Sequence, residues 1–381
     1  MRVIWKFIIF SLILSLFITN IPQKVDASIS LSARGAVLME QKSGRVLFEK
    51  DAHTKRRIAS ITKIMTALLA IESGKLDEIV TVSERAVRTE GSSVYLKPGE
   101  KIKLEHLVYG LMLRSGNDTA VAIAEHVGGS LDGFVYLMNQ KAKEIGMLNT
   151  HFANPHGLDD HEDHYSTAYD MALLTRYAMQ YEKYQEISGT KMYRAPNPTE
   201  NWDRQWRNKN RLLTKYKYTT GGKTGYTKRA KRTLVTTATK GDMNLIAVTL
   251  NASDDWNDHI AMYENAFKSF DMAEVLAKGE IKVKDSNYKN NLYVKSSIVY
   301  PATEEEMDLF SIKYKLYKPD EDREENPDKQ EIVAGKAQVF LDGKVIKETP
   351  IYYKTGSEDK KGLLDSLKEI FLSVLGVKKY G

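Results

Sequence analysis

Two predicted strand hairpins, separated by a long run of helical patterns, set the strongest limit on how this chain can fold. Residues 36–40 and 45–49 flank the turn-forming residues 41–44, and residues 233–239 and 243–250 flank residues 240–242. Apolar residues recur at helical spacing in six further segments, which are residues 60–72, 104–113, 118–127, 131–145, 167–181 and 259–275. This order predicts an α/β domain whose sheet takes strands from both ends of the segment.

The pattern changes after about residue 279, where short β-rich runs replace the helices. They cover residues 280–283, 291–300, 310–317, 330–341 and 344–353, with a charged stretch at 318–329. We therefore expect a main domain over residues 28–278 and a small all-β domain over 279–355. No chemistry-bearing motif falls in the β-rich part, which favours a spacer or a protein-contact role for it.

Both ends of the chain carry patterns typical of targeting. Arg2 and Lys6 precede an apolar run over residues 7–18, and small residues Val25 and Ala27 occupy the positions that a signal peptidase recognises. We expect a signal peptide over residues 1–27 and an exported protein. Residues 356–381 form a linker and an apolar helical stripe flanked by lysines, which predicts a helix lying in a membrane interface. The alternative is a last helix docked on the core.

Composition removes several classes of function. The 381 residues carry a formal net charge of +6, a diffuse excess with no recognisable module, so nucleic-acid binding is not expected. The chain has no cysteine, which excludes disulfides, thiolate metal sites, Fe–S clusters and a cysteine nucleophile. Covalent catalysis would have to use Ser, Thr, Lys or a carboxylate.

Four Ser-x-x-Lys tetrads occur, and their contexts separate them. They begin at Ser60, Ser188, Ser286 and Ser357. Only Ser60 opens a strongly apolar helix, on which Ser60 and Lys63 share one face. A helix N-terminus offers N–H groups to an oxyanion, and burial would lower the proton affinity of Lys63 so that it could act as a general base. The alternative for this tetrad alone is an N-capping serine with an exposed lysine.

Two further triplets can complete such a site. Ser115-Gly-Asn117 is the single Ser-x-Asn and lies between two apolar helices. The serine could relay a proton and Asn117 could hold a substrate amide, or this segment could be a turn in which Asn117 or Asp118 caps the next helix. Lys223-Thr224-Gly225 enters a predicted strand, where Lys and Thr can bind a carboxylate and Gly225 lets a ligand backbone approach. A second Lys-Thr-Gly at 354–356 is attributed to coincidence.

A metal site is the rival interpretation of the histidine-rich segment. His151, His156, His161 and His164 stand among acidic residues 159, 160, 162 and 163. The spacing matches no zinc motif, and a solvated loop explains it better. We expect no metal and no cofactor.

Ser-x-x-Lys, Ser-x-Asn and Lys-Thr-Gly in this order form the active-serine set of penicillin-binding proteins and serine β-lactamases. Over roughly residues 33–271 the sequence resembles the D-alanyl-D-alanine carboxypeptidase family of low-molecular-mass penicillin-binding proteins. Within that family it is most similar to the sporulation-type enzyme of bacilli, in residues 57–72 and 156–171. The resemblance implies a β-lactamase/transpeptidase-like α/β (α+β) domain, an antiparallel sheet with helices on both sides, followed by the β domain and an amphipathic helix.

The resemblance also implies a role for each matching residue. Ser60 would be the nucleophile, Lys63 its base and Ser115 a proton relay. Asn117 would position the peptide, and Lys223 and Thr224 would hold its terminal carboxylate. The N–H groups of Ser60 and Tyr226 would form the oxyanion hole. Gly225 would let the ligand backbone approach, and His156 and Gly157 would lie in a loop at the cleft rim. One departure is Lys231, where the family usually has glycine, and it puts the substrate range in doubt.

The implied activity is removal of the terminal D-alanine from peptidoglycan pentapeptide stems through an acyl-enzyme on Ser60, which would limit cross-linking of the cell wall or the spore cortex. β-Lactam antibiotics would be covalent inhibitors. The protein would lie on the outer face of the cytoplasmic membrane, or of the forespore membrane. The alternatives are a serine β-lactamase, which the absence of a Glu-Leu-Asn pattern near residues 154–160 disfavours, and a non-catalytic peptidoglycan-binding scaffold.

Overall fold

The computed structural model describes residues 29–197, 200–283, 292–318 and 331–354. The predicted signal peptide and the predicted C-terminal helix both lie outside these ranges. Within them, no helix combines the length and the apolarity needed to cross a membrane.

The described residues form strands in both halves of the chain. They are β1 (Gly35–Glu40), β2 (Val46–Lys50), β3 (Ile79–Thr81), β4 (Lys101–Lys103), β5 (Met192–Ala195), β6 (Arg204–Arg207), β7 (Thr219–Thr227), β8 (Lys231–Lys240), β9 (Met243–Ala252), β10 (Asp271–Leu276), β11 (Gly279–Glu280), β12 (Leu292–Val294), β13 (Ile298–Ala302), β14 (Phe310–Leu316), β15 (Glu331–Leu341) and β16 (Lys344–Lys354).

The helices concentrate between β2 and β10. The α-helices are α1 (Lys63–Glu72), α2 (Glu84–Val87), α3 (Leu104–Tyr109), α4 (Asn117–Gly128), α5 (Leu131–Ile145), α6 (Ala168–Ala178), α7 (Glu182–Gly189), α8 (Leu212–Lys215) and α9 (Asp255–Ser269). Ala59–Thr62 and Glu304–Leu309 are 3₁₀ turns, and Gly110–Arg114 is a π-helical turn.

The central sheet is antiparallel and has the order β2-β1-β9-β8-β7. It therefore takes strands from both ends of the domain, which confirms the prediction from the two hairpins. Alternation along β1 explains why both faces are covered: Val37 and Met39 join the core formed with α1, α4 and α6, whereas Ala36 and Leu38 pack with α9. The sheet thus has helices on both sides, and β7 forms one edge.

One helix prediction extends too far. The helical pattern of residues 259–275 corresponds to α9, which ends at Ser269, and residues 271–276 instead form β10. The strand pairs antiparallel with β13, from Asp271 opposite Ala302 to Leu276 opposite Ile298. Pairing with a distant strand overrides the local helical pattern, because residue spacing alone does not reveal that partner.

The β-rich part forms a second five-stranded sheet with the order β11-β12-β16-β15-β14 and its own apolar core. The predicted run at 291–300 is two strands, β12 and β13, rather than one. Arg45 links the two parts of the chain: it donates to the Pro301 carbonyl at 2.6 Å and pairs with Glu306. The 3₁₀ turn that carries Glu306 is fixed by a capping box with Thr303.

Candidate active site

Ser60 lies on the 3₁₀ turn Ala59–Thr62, which leads directly into the buried helix α1. The preceding residue, Ala59, has φ = 50°, a left-handed conformation that is strained for a residue with a Cβ. Thr62 stabilises this turn, because its hydroxyl donates to the Ala59 carbonyl at 2.8 Å and contacts His164 Nε2 at 2.8 Å. The turn that presents Ser60 is therefore fixed by buried hydrogen bonds.

Lys63 is fully buried one turn after Ser60. Its Nζ lies 3.0 Å from Ser60 Oγ, 2.7 Å from Asn117 Oδ1 and 2.6 Å from the His156 carbonyl oxygen. Burial, followed by repulsion from Lys223, lowers the pKa of Lys63 well below its usual value. The exposed-lysine alternative for this tetrad is wrong, because the side chain has no access to solvent.

Ser115 and Asn117 sit where the π-helical turn meets α4. Ser115 has φ = 64°, and this left-handed residue turns the chain so that Asn117 can begin the helix. Asn117 donates through Nδ2 to the Glu90 carbonyl at 2.5 Å while its Oδ1 accepts from Lys63. The N-cap of α4 is Gly116, so neither Asn117 nor Asp118 is the N-cap residue. Asp118 Oδ1 nevertheless accepts from the first-turn N–H of Thr119 at 2.9 Å.

Lys223 comes from the opposite side, on the edge strand β7. It is buried, and its Nζ lies 3.0 Å from Ser115 Oγ and 2.7 Å from the Thr224 carbonyl oxygen. Burial, with a smaller contribution from Lys209, lowers the pKa of Lys223 to about 7. The three motifs therefore converge as two linked pairs, Ser60 with Lys63 and Ser115 with Lys223.

Gly225 allows β7 to approach the serine turn. A Cβ at this position would lie 2.4 Å from Thr233 Oγ1 and 2.9 Å from the Ser60 backbone nitrogen, so any other residue would push the strand away. Thr233 in turn donates to the Ile58 carbonyl at 2.9 Å and ties β8 to the same turn. The adjacent Tyr226 side chain is 63% exposed.

A cleft of about 1150 Å³ opens over these residues, and Ser60, Ser115, Thr224, Gly225 and Tyr226 all line it. Lys63 and His156 lie beneath its surface. His156 contributes through its main chain, because its carbonyl accepts from Lys63; its ring is buried, and burial lowers the pKa of His156 to about 3. The residues predicted from three separate motifs are thus gathered around one opening, with a hydroxyl at its floor.

Proteins of known function and solved structures are similar to this chain. A family model described as D-alanyl-D-alanine carboxypeptidase matches residues 21–254. The carboxypeptidase DacF of Bacillus subtilis (strain 168) is 35% identical over 359 residues, which cover 91% of this chain and 90% of that protein. The chain belongs to the D-alanyl-D-alanine carboxypeptidase family.

Two further matches define how far the similarity reaches. DacC of Escherichia coli (strain K12) is 41% identical over 245 residues, 61% of this chain and 60% of that protein. The crystal structure of penicillin-binding protein 5 from Haemophilus influenzae superposes with a TM-score of 0.70 at 27% identity, covering 86% of this chain and 97% of the other. A second family model, penicillin-binding protein 5, C-terminal domain, matches residues 270–358.

Lys209 also belongs to the site, although no sequence motif pointed to it. It lines the cleft, donates to Ser92 Oγ at 3.1 Å, and its charge contributes to the lowered pKa of both Lys63 and Lys223. Burial and Arg114 lower its own pKa. No local pattern separates Lys209 from the other lysines of the chain, because its position depends on a contact across 117 residues.

His164 is the second missed residue. It is buried, its Nδ1 accepts from the Ala153 N–H at 3.0 Å, and its Nε2 contacts the Thr62 hydroxyl that supports the serine turn. Burial lowers the pKa of His164 to about 3. In the part of the chain that the structure describes, no group of three His, Asp or Glu side chains is placed to hold a metal ion.

Of the other three tetrads, the one at Ser188 lies within the described residues and differs from the first. Ser188 is buried at the end of α7 and its hydroxyl bonds to the Gln185 carbonyl, so it cannot act as a nucleophile toward the cleft. The tetrads at Ser286 and Ser357 lie outside the described residues, as do residues 355 and 356 of the second Lys-Thr-Gly.

Lys231, at the position where the resemblance predicts a glycine, has φ = 60° at the first position of β8. A glycine would suit this left-handed conformation, whereas a lysine there carries backbone strain. The side chain is exposed and does not enter the site, but the next residue, Arg232, lines the cleft.

Replacing Lys231 by glycine is therefore expected to raise the free energy of unfolding by about 1 kcal/mol, since the relieved left-handed strain exceeds the extra chain entropy of glycine. Urea denaturation measures the change. Lys228→Gly is the control, because Lys228 lies in the preceding turn without a positive φ and glycine there should destabilise. A Lys231→Gly protein no more stable than the wild type would contradict the strain argument.

Proposed function

We propose that this chain removes the terminal D-alanine from peptidoglycan pentapeptide stems through an acyl-enzyme on Ser60. The observation that carries the proposal is the environment of Lys63 Nζ, which contacts one hydroxyl and two oxygens that can only accept. A neutral amine has two N–H bonds and one lone pair. When the N–H bonds donate to Asn117 Oδ1 and the His156 carbonyl, the lone pair is left facing Ser60.

This geometry supports the following reaction. Lys63 accepts the Ser60 proton as Oγ attacks the carbonyl carbon of the D-Ala-D-Ala peptide bond. The N–H groups of Ser60 and Tyr226 stabilise the oxyanion that forms. Ser115 relays the proton to the departing amine, D-alanine leaves, and water hydrolyses the ester on Ser60 to return the free serine.

In this proposal the edge strand β7 binds the substrate. Lys223 and Thr224 hold the terminal carboxylate of the peptide, and Asn117 positions its amide. β7 is an edge strand of the central sheet, so the peptide can extend along it while Gly225 keeps the backbone close to the serine turn. A peptide bound in this way would have its last peptide bond over Ser60.

Labelled penicillin tests the proposal. We expect the full-length protein to take up one label per chain, to yield a labelled peptide containing Ser60, and to release D-alanine from a pentapeptide. No release of D-alanine would overturn the proposal. Rapid turnover of the penicillin adduct would instead support the β-lactamase alternative. Labelling by penicillin without hydrolysis of either the pentapeptide or the adduct would support a non-catalytic scaffold.

The activity should depend on pH through both lysines. Burial and repulsion from Lys223 lower the pKa of Lys63, so acylation should rise with pH as Lys63 loses its proton. Lys223 must stay protonated to bind a carboxylate, so kcat/KM should fall as the pH rises above about 7. A bound carboxylate raises the pKa of Lys223, hence the alkaline limb of the kcat profile should lie at higher pH than that of kcat/KM. Coincident alkaline limbs would argue against this role.

The location and the domain division are part of the same proposal. Residues 1–27 direct export, residues 28–278 form the peptidase, residues 279–355 form the β domain, and residues 356–381 attach the protein peripherally to the outer face of the membrane. A chain stopped before Gly362 should lose membrane association, and one that stays bound would contradict the anchor. A role in spore cortex formation stays a prediction from the resemblance.

A further inference from the structure

A chain of three hydrogen bonds ends on the turn that presents Ser60. It begins where the Ala153 N–H donates to His164 Nδ1 at 3.0 Å. His164 Nε2 lies 2.8 Å from Thr62 Oγ1, and the Thr62 hydroxyl donates to the Ala59 carbonyl at 2.8 Å. His164 and Thr62 are both buried, so this chain is shielded from bulk solvent.

The geometry assigns the proton of each group in this chain. A backbone N–H can only donate, so His164 Nδ1 is unprotonated, and a neutral imidazole then carries its proton on Nε2. The single O–H of Thr62 is used by the Ala59 carbonyl, which can only accept. Thr62 Oγ1 therefore accepts from the Nε2–H of His164. Burial lowers the pKa of His164 to about 3, which keeps the ring in this neutral form.

The backbone around His164 fixes its ring relative to the serine turn. Two residues later, Ser166 exchanges backbone hydrogen bonds of 2.8 and 3.0 Å with Arg56, which lies four residues before Ser60. The ring also packs against Phe152 in an edge-on contact with the centroids 6.0 Å apart. His164 is therefore held in place independently of its bond to Thr62.

The Ala59 carbonyl and the Ser60 N–H belong to the same peptide group. A trans peptide is planar, so its C=O and N–H point in opposite directions. The carbonyl points to Thr62 in the interior, hence the N–H points toward the side of Gly225, whose Cβ, if present, would lie 2.9 Å from Ser60 N. Ala59 has φ = 50°, and such a strained conformation persists only where neighbouring contacts hold it. The bond from Thr62 thus sets the direction of the Ser60 N–H.

We propose that His164, acting through Thr62, is a positioning residue that orients the Ser60 N–H toward the oxyanion of the reaction. The inference rests on the proposed acyl-enzyme mechanism, in which this N–H is one of two oxyanion donors. Such donors are effective because they are already aimed at the place where the charge develops. Donation by His164 also polarises the Thr62 hydroxyl and, through it, the Ala59–Ser60 peptide group, which strengthens its N–H as a donor.

The test uses the full-length chain and two amides that each keep one half of the imidazole. Glutamine reaches the Nε2 position and can still donate to Thr62, whereas asparagine reaches only the Nδ1 position and can still accept from the Ala153 N–H. Stopped-flow acylation over a range of benzylpenicillin concentrations separates the rate constant at saturation from the dissociation constant of the non-covalent complex.

We expect His164→Asn to lower the saturating rate constant about 10–100-fold, less than the ~10²–10³-fold loss on removing an oxyanion donor outright. The dissociation constant should not change, because the groups that hold the ligand carboxylate are untouched. The acid limb of the pH profile of acylation, which Lys63 sets, should keep its position. His164→Gln should acylate at close to the wild-type rate.

Substitutions of Thr62 test the same chain from its other end. Thr62→Val removes the hydroxyl at nearly constant shape and should slow acylation as His164→Asn does, whereas Thr62→Ser keeps the hydroxyl and should acylate normally. The double variant Thr62→Val/His164→Asn should be no slower than Thr62→Val alone, because both changes break one chain. If His164→Asn does not fold, the Thr62 variants decide by the same criteria.

His259→Asn is the matched control. His259 is also fully buried between two threonine hydroxyls, 2.6 Å from Thr236 Oγ1 and 3.0 Å from Thr249 Oγ1. It lies on α9, across the central sheet from α1 and the serine turn. His259→Asn should lower the thermal unfolding temperature as His164→Asn does, yet acylate like the wild type.

The remaining outcomes contradict the inference. Normal acylation by both His164→Asn and Thr62→Val, or an equally slow His164→Gln, would show that the donated hydrogen bond is unimportant. A slow His259→Asn would attribute the effect to a general loss of stability, and a displaced acid limb would attribute it to Lys63. A wild type that takes up no penicillin at Ser60 would instead overturn the proposed function, and this inference with it.

Discussion

Lys63→Met should slow the acylation of Ser60 by benzylpenicillin by about 10²–10⁴-fold, the usual contribution of a general base. Methionine has nearly the volume of lysine and suits a fully buried position, so the fold should be retained. The lost amine leaves Ser60 Oγ without the acceptor that lies 3.0 Å away. Stopped-flow labelling gives the acylation rate, and thermal unfolding checks the fold.

A second substitution separates a base from a mere positive charge. Arginine at position 63 keeps the charge but cannot lose its proton, so Lys63→Arg should be as inactive as Lys63→Met. Lys101→Met, at an exposed position of β4, is the control and should acylate like the wild type. The base assignment fails if Lys63→Met keeps more than a tenth of the acylation rate, or if arginine restores it.

Gly157→Ala is the second substitution with a large expected effect. Gly157 has φ = 86°, and a Cβ there would lie 1.9 Å from the Ala59 carbonyl oxygen and 2.8 Å from Thr62 Oγ1. Because these atoms belong to the turn that presents Ser60, the backbone must move. We expect a loss of about 3 kcal/mol in the free energy of unfolding, from strain and overpacking together, and at least ~10-fold slower acylation.

Gly146→Ala provides a control with matched backbone geometry. Gly146 ends α5 with φ = 88°, and a Cβ there would meet nothing within 4 Å. It should cost only the left-handed strain of about 1 kcal/mol and leave acylation unchanged. Urea unfolding and penicillin labelling compare the two variants. Equal losses of stability in both would mean that the contact with Ala59 is unimportant.

The hairpins illustrate what local patterns predict well. Short turns between alternating apolar runs specify β1 with β2 and β8 with β9, because both strands of each pair are close in sequence. The pairing of β1 with β9 joins residues about 210 apart, and the prediction of one sheet from both ends came from the order of elements rather than from either strand. The end of α9 was misplaced for the same reason, because β10 forms only where β13 is available.

The candidate site shows the same division. Ser60, Lys63, Ser115, Asn117 and Lys223 were predicted because three short motifs occur in one order. In the structure Lys63 contacts Ser60 and Asn117, and Lys223 contacts Ser115. Lys209 and His164 were missed, because each acts through a contact with a residue distant in sequence. The basic residues 207–217 were visible in the sequence, but nothing local says that four of them border the cleft.

The residue types available for the chemistry, and the short segments that carry them, are evident from the amino-acid sequence. An absent cysteine, a serine with a lysine one turn later and a Lys-Thr-Gly strand are facts of composition and spacing. The lowered pKa of Lys63, in contrast, depends on the tertiary structure. The proton affinity of Lys63 falls because the folded core removes water from it and brings Lys223 near it, and both effects exist only when residues far apart in the chain are packed together.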